Sequence, residues 1–250
     1  MKFTNPLQAA ILIRRYKRFL ADVKTEDGTE LTVHCPNSGS MRGCSTPGSK
    51  VFISRSANPK RKYPCTLEMI KEGTTWIGIN TMRTNHLVAE AITEKRIAEF
   101  INMDTIQAEI KTSKSTRLDF LLTKGDYKTY IEVKNCSLVE DGCAMFPDAV
   151  TARGTKHLHE LADLVAQGHE GVIFFCVQRM DADNFRPAAQ IDPLYAETLQ
   201  RAKTDLILPR MWHPRQNLGF SAQYEHELTD SYEATYRSAR ILRNERRSAA

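Results

Sequence analysis

Two short segments, Arg117-Leu118-Asp119-Phe120-Leu121 and Tyr130-Ile131-Glu132-Val133-Lys134, alternate apolar and polar residues with the period of two that marks a β-strand. Lys124-Gly125-Asp126 between them has the chemistry of a hairpin turn. Successive strand side chains point to opposite faces, so Glu132 and Lys134 share one face while Ile131 and Val133 share the other. Pairing of the two strands then brings Asp119 alongside. The same period recurs upstream. Leu31, Val33 and Cys35 alternate after an Asp27-Gly28 turn, and a long segment over 11–24 is predicted as their hairpin partner. Further strands are predicted over 51–54, 66–71 and 75–80, the last two joined by Glu72-Gly73. Five short strands in this stretch predict a small closed β-barrel of the OB type.

After residue 82 the pattern becomes mixed. Asn85 is placed to cap a helix that carries Leu87, Val88, Ala91 and Ile92 on one side. Strands are predicted over 106–111, 117–123 and 127–135, then a helix over 148–167, capped by Asp148 after Pro147, with Leu158, Leu161, Leu164 and Val165 toward the core. The apolar run over 171–178 has the length of a buried strand, and a helix over 192–203 and a strand over 206–208 follow. Helix, three strands, helix and strand make a compact α/β core with the carboxylates in its central hairpin. The predicted fold class is therefore α+β, mixed: a five-stranded OB-like barrel over 1–82, an α/β domain over 83–236 and a basic tail over 237–250.

Composition narrows the function classes. With 250 residues, 41% of them hydrophobic, the chain has room for one sizeable core or two ordinary domains. No apolar run approaches the roughly 20 residues that cross a bilayer. The patch over 9–13 runs directly into Arg14-Arg15, unlike a secretory signal. These features predict a soluble, cytoplasmic protein with no membrane partner. The six cysteines lie at irregular intervals without a Cys-x-x-Cys pair, which signals neither a zinc site nor a disulfide framework. The net charge of +5 is unevenly spread: 13 Lys and Arg face 6 Asp and Glu over 1–82, 17 face 23 over 83–236, and 5 arginines face Glu245 alone over 237–250. A basic module joined to an acidic one fits a polyanion-binding part attached to a metal-binding part.

Several clusters carry candidate chemistry. Arg14-Arg15-Tyr16-Lys17-Arg18-Phe19 and Lys60-Arg61-Lys62-Tyr63 interleave cations with aromatic rings, as single-strand nucleic-acid binding requires. On a strand, however, the first cluster splits between two faces. The loop over 35–41 is rich in turn formers and hydroxyls, suited to gripping a phosphate or to turning a corner. Asp119 and Glu132 can hold a divalent cation through oxygen ligands, with Lys134 placing its charge on a scissile phosphate or an attacking water; the plainer alternative is a solvated hairpin face with cross-strand ion pairs. On the helix over 148–167, Arg153, Lys156, His157 and Glu160 recur at helical spacing, which puts Arg153 and His157 in position to contact phosphate. Gly154 in mid-helix costs about 1 kcal/mol relative to Ala and marks a close backbone approach.

Asp119 followed by Glu132-Val133-Lys134 resembles the core of the PD-(D/E)XK nuclease superfamily, although Leu118 stands where the superfamily name has proline. More specific runs are Arg15 to Val23, His34-Cys35-Pro36-Asn37-Ser38-Gly39, Lys60 to Pro64, Phe146 to Thr151 with Arg153-Gly154, and Lys156-His157-Leu158. Together they resemble the sugar fermentation stimulation protein A family as far as about residue 210. That resemblance implies an OB-like domain followed by a restriction-endonuclease-like domain, with DNA binding and a regulatory role in sugar, especially maltose, metabolism. It implies Asp119 and Glu132 as metal ligands, Lys134 as the catalytic lysine and Glu90 as a further acidic ligand from the first helix. The expected activity is hydrolysis of a phosphodiester with Mg²⁺ or Mn²⁺, on DNA before RNA. The alternative is a non-catalytic, sequence-tolerant DNA-binding regulator.

Overall fold

Alternation of apolar side chains closes the first part of the chain on itself. The structure, a computed structural model, describes residues 3, 6–204 and 208–212. Strands β1 (Leu7–Tyr16), β2 (Leu20–Thr25), β3 (Glu30–His34), β4 (Lys50–Arg55), β5 (Cys65–Glu72) and β6 (Thr75–Gly78) lie in the order β3-β2-β1-β4-β5-β6. A parallel contact, His34 with Thr66, joins β3 to β5 and closes the barrel. Inside it Val23, Val33, Val51, Ile53, Leu67 and Ile77 are buried. The barrel has six strands rather than five, because the segment over 11–24 is itself a hairpin. Its three-residue turn, Lys17-Arg18-Phe19, holds Lys17 and Arg18 at positive φ values of 50° and 64°. With no glycine or asparagine there, nothing in the local composition announced it.

The link to the second domain is clamped from the barrel. Glu68 of β5, buried, accepts from Arg83 Nε at 2.6 Å, Arg83 Nη2 at 3.0 Å and Asn80 Nδ2 at 2.7 Å. The Asn80 side chain caps a short 3-10 turn, Thr81–Arg83, and α1 (Thr84–Thr93) follows at once. Asn85 is therefore inside the helix and caps nothing.

Strands β7 (Thr105–Lys111), β8 (Arg117–Lys124) and β9 (Tyr127–Cys136) are antiparallel neighbours. After β10 (Leu138–Glu140), β11 (Cys143–Phe146) and α2 (Ala152–Ala166), β12 (Glu170–Val177) pairs parallel to β9. Next come β13 (Asn184–Pro187), α3 (Pro193–Thr204) and β14 (Leu208–Trp212), which is parallel to β12. The main sheet runs β14-β12-β9-β8-β7, and β10-β11-β13 form a small side sheet. Ile131, Val133, Val172 and Phe174 pack with Val88, Ala91 and Ile92 of α1 on one face. Tyr130, Ile173 and Phe175 pack with Leu158 and Leu161 of α2 and Tyr195 and Leu199 of α3 on the other. The strand predicted over 206–208 begins at Leu208; residues 206 and 207 and the basic tail over 237–250 lie outside the described residues.

Two local expectations change. Thr151, not Asp148, caps α2, its Oγ1 accepting from Gly154 N at 3.0 Å. Asp148 instead joins the domains: its carboxylate accepts from Met41 N at 3.0 Å and its carbonyl from Ser40 Oγ at 2.6 Å. Gly154 lies in the first turn of α2 and not in mid-helix, but the close approach expected there is present: an added Cβ would stand 2.8 Å from Thr151 and 3.0 Å from the Tyr195 ring. All six cysteines are free, and burial pushes the thiols of Cys44 and Cys136 up to about 12, as for packing residues. Among the described residues no helix is long and apolar enough to cross a membrane.

Candidate active site

Strands β8 and β9 pair from Lys124 and Tyr127 as far as Phe120 and Ile131, then separate. At that fork Asp119 Oδ2 accepts the Val133 N–H at 2.7 Å, a side-chain oxygen standing where a ladder carbonyl would be. Asp119 Oδ1 accepts from Asn85 Nδ2 of α1 at 2.7 Å. Across from Asp119, Glu109 of β7 holds φ at 58°, a conformation L-residues seldom adopt, so the sheet is irregular on both sides of the carboxylate. The strand register, carried one step further, sets Asp119 opposite Glu132.

Glu132 faces α2 and is 4% exposed. Its Oε1 accepts from Lys134 Nζ at 2.6 Å and is hydrogen-bonded to His157 Nδ1. His157 is itself buried, and Arg153 Nε, one turn earlier on α2, donates to its Nε2 at 3.4 Å. This network places the imidazole hydrogen on Nδ1, so His157 donates to Glu132. Lys134 Nζ lies 3.4 Å from the same Nδ1. Glu132 Oε2, by contrast, is buried with no hydrogen-bond partner among the described residues.

The environments drive the two carboxyls apart. Burial and the neighbouring charge of Glu132 push Asp119 up to about 6, against the opposing pull of the Val133 and Asn85 hydrogen bonds and of Lys134. Burial acts on Glu132 in the same sense, but the His157 hydrogen bond and the Lys134 ammonium outweigh it and hold Glu132 below the usual carboxylate range. At neutral pH Glu132 is fully charged, while Asp119 sits close to its titration. Such divergence is what acid, base and cation chemistry draws on.

The predicted residues are placed unevenly. Asp119, Glu132, Lys134, His157 and Arg153 form one cluster. Glu90 does not join it: it lies five residues after Asn85, about 140° round α1 and more than a turn away. Among the described residues no group of three His, Cys, Asp or Glu side chains is arranged to hold a metal ion.

The barrel cations also divide. Arg15 turns inward to carbonyls of Arg18, Asn37, Gly39 and Ser40 at 2.7 to 3.4 Å. It therefore organises the loop over 35–41, and a role in binding a polyanion gives way to a structural one. Arg14 pairs with Asp22 at 2.8 Å and lies over the Tyr16 ring, while Lys17 and Arg18 are exposed at the hairpin tip. Arg61 donates to Thr66 Oγ1 at 3.1 Å; Lys60 and Lys62 are exposed, Lys62 over the Tyr63 ring.

Two contributions escaped sequence reasoning. Asn85 was legible only as a helix cap, although it holds Asp119. A groove of about 690 Å³ runs beside His157 between α2 and the loop joining β7 to β8. The signal for it was the basic, hydroxyl-rich run from Lys111 to Arg117.

Residues 13–79 match the family model described as the SfsA N-terminal OB domain, and residues 82–208 match that of the sugar fermentation stimulation protein RE domain. An OB domain is thus followed by a restriction-endonuclease-like domain. A sugar fermentation stimulation protein homolog of Desulfotalea psychrophila is 62% identical over 202 residues, covering 81% of this chain and 86% of that one. Its counterpart in Pelobacter propionicus is 53% identical over 197 residues, covering 79% and 86%. Among solved structures, Pyrococcus furiosus SfsA in complex with Ca²⁺ superimposes with a TM-score of 0.77 at 25% identity, covering 85% of this chain and 91% of that one.

Proposed function

This chain belongs to the sugar fermentation stimulation protein family, and we propose that it is a cytoplasmic, divalent-cation-dependent phosphodiesterase acting on nucleic acid, DNA before RNA. The observation that carries this reading is the Glu132 carboxylate. It is charged and buried, yet one of its oxygens has no donor among the described residues. A buried anionic oxygen without a partner is costly, and a cation relieves that cost. Asp119 spends one acceptor position on each oxygen and keeps the other. The donor set therefore fits a hard cation: Asp119 and Glu132 would hold Mg²⁺ or Mn²⁺, ions of the same charge and ligand preference as the Ca²⁺ of the Pyrococcus furiosus relative. When bound, such a cation lowers the pKa of a water and offsets charge on the phosphate.

The chain's own residues supply the remainder. Lys134 presents its ammonium beside Glu132, where it orients an attacking water or meets the charge that develops on the phosphate. His157 fixes Glu132 through Nδ1 and is steadied in turn by Arg153. Exposed Lys17, Arg18, Lys60 and Lys62 of the barrel hold the strand through its phosphates, which makes binding salt-sensitive and tolerant of sequence.

One observation favours a second reading, a DNA-binding regulator of sugar metabolism without catalysis: both Asp119 oxygens already accept hydrogen bonds, and among the described residues no group of three His, Cys, Asp or Glu side chains is arranged to hold a metal ion. The deciding assay incubates purified protein with single-stranded DNA, duplex DNA and RNA, each with Mg²⁺, Mn²⁺ or chelator, beside Asp119→Ala and Lys134→Ala. Cleavage that needs the cation and is lost in both variants supports the enzyme. Binding without cleavage under every condition leaves the regulator.

A further inference from the structure

The groove beside His157 has a one-signed lining. Lys111, Lys114 and Arg117 come from the β7–β8 connection, and Arg153 and Lys156 from the first turns of α2; no carboxylate lies among its lining residues. The two walls are tied together, since Lys156 Nζ donates to Ser115 Oγ at 2.8 Å and to its carbonyl at 3.3 Å. Among the described residues Lys111 and Lys114 have no ion-pair partner, and Arg117 has only a 3.4 Å contact with Glu109, both more than half exposed. Like charges gathered at the mouth of a cavity repel one another unless an anion sits between them. A second feature points the same way. Thr116, which also lines the groove, is 4% exposed, and its hydroxyl has no hydrogen-bond partner among the described residues. Apart from His157 the lining has no aromatic ring, so bases have nothing to stack on. The floor of the groove is His157, the residue that holds Glu132.

We infer that this groove is a phosphate seat, in which Lys111, Lys114, Arg117 and Lys156 hold the backbone of a nucleic-acid strand on its way to the Asp119–Glu132 pair. The assignment rests on the phosphodiesterase reading for what lies at the end of the groove, but its own content is binding. The seat reads phosphate and not base, and it lies in the second domain, away from the barrel surface where the sequence alone placed most of the contacts.

The test separates binding from cleavage. Anisotropy of a fluorescein-labelled oligothymidylate is titrated in chelator, across a salt series, for the wild type, Lys114→Ala with Arg117→Ala, Lys111→Ala alone, and Lys128→Ala at the distant hairpin tip as a control. The double variant is expected to bind about tenfold more weakly at 0.1 M salt. Its salt slope should fall by roughly 1.4, because each single-strand phosphate that a cation no longer neutralises takes away about 0.7. Lys111→Ala should weaken binding about half as much, so the result does not hang on the folding of one variant, and Lys128→Ala should match the wild type. Wild-type affinity and slope in both groove variants would overturn the seat. Weakened binding in those variants, with a wild type that cleaves nothing in Mg²⁺ or Mn²⁺, would keep the seat and remove the phosphodiesterase reading.

Discussion

The Val133 amide donates to the Asp119 carboxylate at 2.7 Å, a bond that an unbroken hairpin would make to a backbone carbonyl. The consequence is a fork between β8 and β9 that leaves the carboxylate on the sheet and partly desolvated beside Glu132. The candidate site is thus built from a defect in the ladder, held open by Asn85 on one side and by the positive φ of Glu109 on the other.

Asp119→Asn should abolish cation-dependent cleavage and yet stabilise the protein in chelator at pH 7.5. The folded value of about 6 lies above the unfolded value of about 3.9. For a carboxyl raised in this way, the stability contributed by the protonated form is complete below the unfolded value and is lost as pH rises through the folded one. At pH 7.5 the charged side chain therefore costs on the order of 2 kcal/mol, which the amide removes. Urea unfolding should show a higher midpoint for the variant at pH 7.5, a gap about half as large at pH 5 and none below about pH 3.5; a lower midpoint for the variant at both pH 7.5 and pH 5 would contradict this.

His157→Ala should cost about 2 to 4 kcal/mol in urea unfolding, because it opens a cavity and strips a donor from a buried charged carboxylate. The double variant with Glu132→Gln should recover part of that loss, since the charge left without its donor is gone. Additive losses in the double-mutant cycle would show that the two side chains are not coupled.

Asp22 gives the barrel an acid-sensitive point. Burial raises its carboxyl, but hydrogen bonds from Arg14 at 2.8 Å, Thr32 at 2.7 Å and Tyr16 at 3.0 Å outweigh burial and hold it below its ordinary value. A depressed folded value means that its contribution is present above the unfolded value of about 3.9 and is lost as pH falls through the folded one. Asp22→Asn should lower stability by about 1 kcal/mol at pH 7 and by progressively less as pH is taken below the unfolded value, read by thermal unfolding at each pH.

Gly39→Ala tests the junction between the domains. An added Cβ would stand 2.5 Å from the Asp148 carboxylate, so either the loop over 35–41 or Asp148 must move, with loss of the Met41 bond. A cost of about 1 to 3 kcal/mol is expected, together with faster proteolysis at the junction. Gly28→Ala serves as a reference, because its open surroundings leave only the strain of a φ of 87°.

Elements were legible where one face of a segment meets water and the other meets the core. That condition holds for α2, whose period showed it, while β8, β9 and β12, covered by helices on both faces, were legible instead from short alternating or unbroken apolar runs bounded by turns. It fails at Lys17-Arg18, where two cations turn a hairpin without glycine or asparagine, and at Asp148 and Asn85, whose side chains suit a helix cap as well as the contacts they make. Cap chemistry is a statement about type, and several partners can satisfy one type.

What the sequence by itself determined is the alternation that puts Glu132 and Lys134 on one face, Asp119 on the neighbouring strand and a basic barrel ahead of an acidic α/β domain, because strand and helix periods are set by backbone geometry within a few residues. Only the tertiary structure decided which charges were built in and which were left outward: Arg15 on four carbonyls, Asp148 across the junction, Glu90 away from the carboxylates, and the loop over 111–117 drawn beside α2. Those choices join residues tens of positions apart, Asn85 to Asp119 and His157 to Glu132 among them. Their proximity comes from how the apolar faces of the helices pack on the sheet, which no local pattern encodes.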